Sequence, residues 1–265
     1  MRVIVPFPAG GTTDVIARIT GQDISAALGQ TVVVENRAGA NAQIATELVA
    51  RATPDGHTLL YSSLSLLVNA ILMQDKARYD PFKDFIYVTN IAKVPGIVVV
   101  HPSVPAKNIK DLIGIARAHP NQLRHGSTGV GSPHHLAGEL FKTMAGIDMT
   151  HVPYKGSALA ATDLVGGQVQ LMFATMPAAM PHVRSGKVRA IAVTSAKRSQ
   201  AMPELPTVAE SGLPNFDVRV WFGAFLPAHT PKPIVTLLNG EIRKIVAAPD
   251  VRQRMIDQGA DPVSD

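Results

Sequence analysis

The first 28 residues restrict the possible folds more than any other stretch of this chain. Three apolar residues, Val3 to Val5, precede a segment with two prolines and two glycines (PFPAGG), and an amphipathic run extends from Thr13 to about Leu28. This order predicts a strand, a glycine loop and a helix. The first turn of a helix offers backbone N–H groups and the positive end of the helix dipole, and glycine lets a ligand approach the backbone closely. The segment therefore predicts an anion-binding site, most simply for a carboxylate, although an ordinary turn between strand and helix also needs small residues.

The next predicted elements continue the alternation of strand and helix. Residues 31–35 and 57–63 have strand patterns, and residues 42–51 have helical spacing. Such an order implies right-handed crossovers and a parallel sheet with helices on both faces, so the fold class is α/β. Ligands bind at the carboxyl ends of such strands, where this chain has small polar residues. These are Gly10, Gly11 and Thr12 after the first strand, and Ser62, Ser63 and Ser65 at the third.

A second α/β unit follows, and it repeats the opening design. The segment STGVGSPHH, residues 127–135, lies between a predicted strand and a predicted helix. Strands are predicted at residues 85–92 and 96–101 on either side of Val94-Pro95, and the chain crosses between units after residues 101 and 220. We therefore expect lobe 1 to comprise residues 1–101 plus 221–265 and lobe 2 residues 102–220, with a hinge that lets the lobes close on a ligand.

Composition excludes several classes of protein. The 265 residues include no cysteine, which removes disulfides and thiolate sites. The net charge is +5, but the 25 basic residues are scattered, so we expect no nucleic-acid partner. No run reaches the roughly 18–20 apolar residues of a membrane span, and no signal-peptide pattern begins at Met1.

Catalytic and metal-binding patterns are also missing. The chain has no G-x-S-x-G elbow and no P-loop, and the dinucleotide spacing fails at His134. Adjacent helical residues such as His134 and His135 point about 100° apart, so they do not ligate one ion easily. His151 is isolated in the sequence. We expect no metal and no cofactor, and we expect Asp14 to complement the dipole of the first helix rather than to react.

The chain resembles the solute-binding receptors of tripartite tricarboxylate transporters, the Bug family. The resemblance runs through nearly the whole sequence in the family's order. It rests on the segments PFPAGGTTDVIAR, VVVENRAGA, TPDGHTLL, YDPFKDF, GSTGVGSPHHLAGELF, HVPYKGSALAATDLVGGQV, RAIAVTSAKRS, PELPTVAESG and WFGAFLPAHTPKPIV.

The resemblance implies a fold and a role. The implied fold is the two-lobed periplasmic binding protein of type II, a Venus flytrap in which each lobe is a sheet flanked by helices. The implied protein is a periplasmic receptor, not an enzyme. It would be a monomer whose signal peptide has been removed, and it would deliver a small organic carboxylate to membrane subunits of the transporter.

The resemblance also implies which residues contact the ligand, largely through backbone N–H groups. In lobe 1 these are Ala9, Gly10, Gly11, Thr12, Ser62, Ser63 and Ser65, and in lobe 2 they are Ser127, Thr128, Gly131, Ser132, His135, Ala174 and Thr175. Apart from the resemblance, we also expect Phe7 of the first loop to contact the ligand, and Trp221, the one tryptophan, to be either a core residue or a wall of the ligand site.

The sequence departs from the family pattern in ways that bear on the ligand. Ala174-Thr175 stands where many relatives carry an acid or amide pair, Leu64, Leu66 and Leu67 are unusually apolar, and Pro133-His134 replaces small hydroxyl residues. We expect a ligand without an ammonium group and with an apolar or aromatic body, such as a di- or aromatic carboxylate. Two alternatives stay open: an α/β enzyme that acts on a carboxylate or ester through Ser132 and His135, and a sensor module for a signalling partner.

Overall fold

The computed structural model of the chain describes residues 1–73 and 78–263. These residues form two compact units. Unit 1 comprises Met1–Lys93 and Trp221–Asp265, and unit 2 comprises Val94–Val220. Residues 94–101, which the sequence analysis assigned to lobe 1, belong to unit 2 because residues 96–100 pair with two of its strands.

Strands and helices alternate along most of the chain. The elements are, in chain order, β1 (Arg2–Val5), α1 (Thr12–Leu28), β2 (Val33–Asn36), a 3₁₀ turn (Ala40–Ala42), α2 (Gln43–Ala50), β3 (Thr58–Ser63), α3 (Ser65–Met73), β4 (Phe85–Val100), α4 (Ile109–Ala118), β5 (Arg124–Ser127), α5 (Pro133–Ala145), β6 (Thr150–Pro153), α6 (Ser157–Val165), β7 (Leu171–Thr175), α7 (Met176–Arg184), β8 (Arg189–Val193), β9 (Arg219–Pro227), α8 (Lys232–Ala247), α9 (Pro249–Asp257) and β10 (Asp261–Pro262).

The sheet of unit 1 has the strand order β2-β1-β3-β9-β4, with β10 paired to β4. β1 is parallel to both β2 and β3, as the predicted crossovers require, whereas β9 is antiparallel to β3. On one face, Ile4 and Leu60 pack with Leu66 of α3 and Phe225 of β9 in an apolar cluster. α1 packs against α8 and α9. Because β1 and β3 are parallel neighbours, their carboxyl ends lie side by side, and a helix follows each strand.

The sheet of unit 2 has helices on both faces. β5 is parallel to β6 and β7, while the unit 2 part of β4 is antiparallel to β7 and β8. Alternate residues of β4 enter different cores: Ile97 and Val99 pack in a cluster with residues of α6 and α7, and Val98 and Val100 pack in one with residues of α4 and α5. Period-two alternation along a strand buried on both faces explains why this stretch is uniformly apolar.

Several elements differ from their predicted bounds. The two strands expected around Val94-Pro95 are one strand, β4, in which Pro95 lies between the pairings of residues 92–93 and those of residues 96–100. Proline has no N–H to donate to a ladder, so it is tolerated at this point between the two sets of pairings. α3 was not predicted, because its run SLLVNAILM is apolar on nearly every side and shows no helical period.

Two helices begin earlier than expected. α5 starts at Pro133 instead of Leu136, with Ser132 as its N-cap, and α7 starts at Met176 instead of Ala178. Proline near a helix start is favourable because its missing N–H has no intrahelical acceptor there. No helix in residues 1–73 and 78–263 is both long and apolar enough to cross a bilayer.

The surroundings of two helical glycines in unit 2 predict opposite effects when each is replaced by alanine. A Cβ at Gly138 of α5 would lie 2.5 Å from Cε1 of the buried His125 ring, whereas a Cβ at Gly114 of α4 would meet no atom within 4 Å. We expect Gly138→Ala to lower the free energy of unfolding by about 1–3 kcal/mol through overpacking. Gly114→Ala should raise it by about 0.5–1 kcal/mol, since alanine loses less backbone entropy in a helix. Urea denaturation of both variants measures the difference, and equal effects would contradict this packing.

Candidate functional site

In unit 1, the first glycine loop joins β1, whose residues 3–5 are buried, to a helix N-terminus. Gly10 has φ of +80°, in the left-handed region that favours glycine. Gly11 is extended, with φ −78° and ψ 166°, and it is the N-cap residue of α1. The N–H of Gly11 donates to Pro8 O at 3.3 Å, and its carbonyl accepts from Val15 N at 3.0 Å. The loop therefore turns sharply at Gly10 and enters the helix at Gly11.

The buried carboxylate of Asp14 holds this loop in place. It accepts from the Gly10 N–H at 2.9 Å and from Asn36 Nδ2 at 3.0 Å, and Arg18 Nε donates to it at 3.0 Å. Asn36, at the end of β2, also donates to Phe7 O at 3.0 Å. Because the Gly10 and Gly11 N–H groups have acceptors within the protein, the capacity of this loop to bind an anion comes from the helix dipole and the first-turn amides that follow Gly11.

The charge of Asp14 is retained despite its burial. Burial by itself would raise the pKa of this carboxyl, but the hydrogen bonds from Arg18, Gly10 and Asn36 and the nearby guanidinium charge outweigh it, so the pKa lies below its usual value. Asp14 is thus a structural anion, as the sequence analysis expected.

A buried serine turn follows β3 beside this loop. Ser62, Ser63 and Ser65 are all buried, and Ser63 Oγ donates to Ser65 Oγ at 3.4 Å. Ser62 Oγ has no hydrogen-bond partner among the described residues. An unsatisfied buried hydroxyl costs about 1–3 kcal/mol, so a ligand or a water that bonds to Ser62 would be favoured. Trp221, in β9, is half-buried and its ring centroid lies 6.2 Å from that of Phe225.

The second glycine loop, in unit 2, has the same design. Ser127 ends β5, and its Oγ accepts from the Gly129 N–H at 3.1 Å. Gly131 has φ of +76°, and Ser132 is the N-cap of α5, where its Oγ accepts from the His135 N–H at 3.3 Å. The Gly131 N–H donates to Nδ1 of the His135 ring at 3.1 Å.

The two loops are thus related residue by residue. In each, a left-handed glycine immediately precedes the N-cap residue, and its N–H donates to the side chain at the third helical position: Gly10 to Asp14, and Gly131 to His135. This resembles a capping box, in which a side chain at that position reaches back to the start of the helix. Neither the Gly10–Asp14 nor the Gly131–His135 bond was foreseen from sequence.

These contacts argue against the catalytic alternative. Ser132 Oγ accepts from the backbone of His135, while the ring of that residue accepts from Gly131. A nucleophile and its base need a direct bond between hydroxyl and imidazole. Ser132 and His135 instead cap a helix and support its loop.

Three imidazoles stack beneath the second loop. The ring centroids of His125 and His151 are 4.9 Å apart, and those of His135 and His151 are 4.1 Å apart. His151 Nε2 lies 2.6 Å from Ser127 Oγ. The carboxylate of Glu139 lies 3.5 Å from His125 Nε2. His151, isolated in the sequence, reaches the stack because β5 and β6 pair His125 with His151.

The stack is neutral at pH 7. Burial, followed by repulsion from neighbouring charged groups, lowers the pKa of His125 and of His151 to about 4, and burial also lowers the pKa of His135. Neutral stacked rings avoid placing like charges 4–5 Å apart. Within residues 1–73 and 78–263, no group of three or more His, Cys, Asp or Glu side chains is arranged to hold a metal ion.

The remaining unit 2 candidates lie at the end of β7. Ala174 and Thr175 are buried, and Thr175 is the N-cap of α7. Both line a cavity of about 10 Å³ together with Pro133 and His134, so the structure brings the second loop and the end of β7 together. This volume is about that of one water.

Replacing the buried anion of unit 1 should destabilise the protein. In Asp14→Asn, the NH₂ of the new amide would face the donors of Arg18 or Asn36. We therefore expect the free energy of unfolding to fall by about 2–3 kcal/mol, the usual contribution of a hydrogen bond to a charged group. Arg18→Gln should cost about 1 kcal/mol or less, because Arg18 is largely exposed and its pairing is screened by water. Urea unfolding midpoints measure both changes. A larger loss of stability for Arg18→Gln would show that the Asp14–Arg18 ion pair, and not the support of the glycine loop by Asp14, accounts for the destabilisation.

The histidine stack predicts acid sensitivity. Unfolded histidines bind protons below about pH 6.5, whereas His125 and His151 in the folded chain remain neutral to about pH 4. The unfolded state therefore binds more protons in this window, and the free energy of unfolding should fall as the pH is lowered through it. His151→Gln, which retains a donor near the position of Nε2 but does not titrate, should flatten the fall. His119→Gln, at an exposed site, should leave the fall in unfolding free energy unchanged. Thermal melts from pH 7 to 4.5 distinguish the two variants.

The chain is similar to known proteins over nearly its whole length. The family model described as the tripartite tricarboxylate transporter family receptor matches residues 16–265. The protein BugT of Bordetella pertussis is 38% identical over 264 residues, which are 99% of this chain and 81% of BugT.

Solved structures agree with this match. Rpa4515 of Rhodopseudomonas palustris, solved with adipate, superposes with a TM-score of 0.96 and 38% identity over 99% of this chain and 88% of that one. The periplasmic binding protein BugD superposes with a TM-score of 0.93 and 36% identity, covering 100% of this chain and 88% of BugD. These similarities confirm the fold class that the sequence implied, and they are similarities to receptors and not to enzymes. The chain belongs to the receptor family of the tripartite tricarboxylate transporters.

Proposed function

We propose that this receptor works in the periplasm, where it captures an organic carboxylate, a di- or aromatic acid, and delivers it to membrane subunits of its transporter. The observation that carries the proposal is the repeated loop: each unit places a left-handed glycine before an N-cap residue, at the carboxyl end of a parallel strand and the N-terminus of a helix of at least 13 residues. A helix N-terminus is favourable for a carboxylate through both its amides and its dipole.

The proposed ligand contacts come from both units. In unit 1, one carboxylate meets the loop of residues 9–12 and the unpaired hydroxyl of Ser62, with Phe7, Ser63, Ser65 and Trp221 around it. In unit 2, Ser127, Thr128, Gly131 and Ser132 contribute from the second loop, and Ala174 and Thr175 from the end of β7. His135 has an indirect role in this proposal: its ring accepts a hydrogen bond from the Gly131 N–H, so it acts on the ligand through the loop.

The charges of the loops favour an acid without an ammonium group. Residues 6–13 and 127–135 contain no Asp, Glu, Lys or Arg. The acids near them are already paired: Asp14 accepts from Gly10, Arg18 and Asn36. Glu139, 4.0 Å from the ring of His135, accepts from Lys142 at 2.9 Å. An ammonium group would therefore find no free carboxylate in these segments, whereas a carboxylate would find helix amides. The adipate bound to the relative Rpa4515 is a ligand of this kind.

Backbone and hydroxyl donors suffice energetically without an arginine clamp. Four or five charge-assisted hydrogen bonds at about 1.5–3 kcal/mol each contribute roughly 6–15 kcal/mol. Association costs on the order of 4 kcal/mol or more, and micromolar binding needs about −8 kcal/mol. A modest number of well-placed donors therefore reaches a useful affinity, particularly if an apolar part of the ligand is also buried.

The family supports the proposed location and the proposed membrane partners. Receptors of this family belong to transporters with membrane components, and BugD is a periplasmic protein. We propose that the chain acts as a monomer, since one copy already carries both glycine loops.

A pair of isosteric changes at Gly11 tests the proposal. Gly11 is extended, so its backbone accepts a side chain, and Asp and Asn are both favourable N-cap residues. Gly11→Asp would place a fixed carboxylate where the ligand's acid group binds, and binding should be lost although the protein stays folded. Gly11→Asn, of nearly equal size but neutral, should retain much more affinity. A thermal-shift panel of di-, tri- and aromatic carboxylates and amino acids identifies the acid, and calorimetry measures its affinity for each variant.

Two results would contradict the proposal. One is a panel in which no acid raises the melting temperature of the wild-type protein, since a bound ligand stabilises the folded state in proportion to RT ln(1 + [L]/Kd). The other is equal affinity of Gly11→Asp and Gly11→Asn for the best acid, which would place its charged group elsewhere.

A further inference from the structure

Unit 1 contains a second recess that the glycine loop does not explain. A cavity of about 340 Å³ lies beside α3, and its walls are mainly apolar and aromatic. Leu66 and Leu67 of α3 form part of the wall, with Phe82, Trp221 and Phe225. Pockets for small molecules typically measure about 300–1,000 Å³ and have such walls, with a few polar groups among them.

The cavity adjoins the serine turn that we place in the carboxylate site. Ser65 is the first residue of α3, so Leu66 and Leu67 follow the turn directly. In the ladder of β3 and β9, Ser62 lies opposite Gly223. Residues opposite each other in such a ladder share a face, and so do residues two apart along one strand. Ser62, with its unpaired hydroxyl, is therefore on the face of the sheet that presents Trp221 and Phe225.

The size and exposure of the walls indicate that the recess receives an apolar group. A cavity of about 150 Å³ lined by apolar residues can hold a benzene molecule, so 340 Å³ accommodates a ring or a chain of several methylenes. Phe82 is 84% exposed and Tyr87 is 47% exposed, although both line the cavity. A guest would cover these rings, and burial of their apolar surface would contribute to its affinity.

Two polar residues, Asn90 and Lys93, complete the lining. None of the residues that line the cavity is acidic. The lining therefore offers no carboxylate to an ammonium group.

We propose that this cavity binds the apolar body of the receptor's ligand, and that the ligand is an acid with a chain of six or more carbons or with an aromatic ring. This inference rests on the proposed carboxylate site, whose serine turn, residues 62–65, leads directly into the α3 wall of the cavity. It assigns the selection of the ligand's carbon skeleton to Leu67, Phe82 and Trp221, and the recognition of its charge to the glycine loop.

The test is a series of unbranched dicarboxylates, succinate, adipate and suberate, together with phenylacetate. Burial of each methylene should tighten binding about fourfold, or about 0.8 kcal/mol, so adipate should bind at least tenfold more tightly than succinate and suberate more tightly still. Trp221 is the one tryptophan of the chain, so its fluorescence reports on the cavity directly. Adipate, suberate and phenylacetate should shift its emission further than saturating succinate does.

Variants of the walls locate the effect. Phe82→Ser removes an exposed aromatic wall, and Leu67→Phe takes up part of the volume. Both should lower the ratio of suberate to succinate affinity at least fivefold. Leu237→Ser is the matched control, since Leu237 is 54% exposed in α8 of the same unit and does not line the cavity. It should leave the ratio unchanged.

The outcomes separate this inference from the proposed function. If succinate binds in a manner that Gly11→Asp abolishes, but affinity does not rise with chain length, the carboxylate site stands and the cavity assignment is overturned. The assignment also fails if Phe82→Ser and Leu67→Phe leave the ratio unchanged. If none of the four acids binds but another acid of the thermal-shift panel does, the cavity assignment alone is overturned. If no acid of either set binds to the wild-type protein, both proposals fall.

Discussion

The structure of the candidate site depends on one constraint: a left-handed glycine before each helix must have its N–H bonded by a side chain from the first turn of that helix. Gly10 donates to Asp14, and Gly131 donates to His135. Gly131 is buried, where an N–H without an acceptor is costly, whereas Gly10 is exposed. In both loops, a glycine without such a bond would have many alternative conformations. The bond fixes the loop, so the helix N-terminus is preorganised before any ligand arrives, which reduces the entropy lost on binding.

The two units meet this constraint with different chemistry. Unit 1 uses a carboxylate, whose charge is compensated by Arg18 and whose lone pairs are used by Asn36 and Gly10. Unit 2 uses a neutral imidazole, which is kept neutral by burial within a stack of three rings. Neither solution leaves a free negative charge at the helix N-terminus, which is what a site for an anion requires.

Our two proposals assign the recognition of charge and the recognition of the carbon skeleton to different parts of unit 1. In these proposals the loop and the helix dipole act on any acid, whereas the cavity beside α3, with Leu66 and Leu67 in its wall, distinguishes acids by their apolar part. Because each methylene contributes only about 0.8 kcal/mol, such selection is graded and operates among acids of different length.

The sequence alone determined the α/β class and the two glycine loops, because strand and helix periodicity and turn residues are local properties of the chain. It also indicated the family, through segments that resemble family members along nearly the whole chain. It did not reveal α3, since a run that is apolar on every side has no period, nor the continuity of β4 through Pro95, since strand partners decide where a missing N–H is tolerated. The histidine stack and the wall shared by Leu67, Phe82 and Trp221 were decided only by the tertiary structure. Their members are separated by many residues in the chain, and only the pairing of strands and the packing of helices brings them into contact.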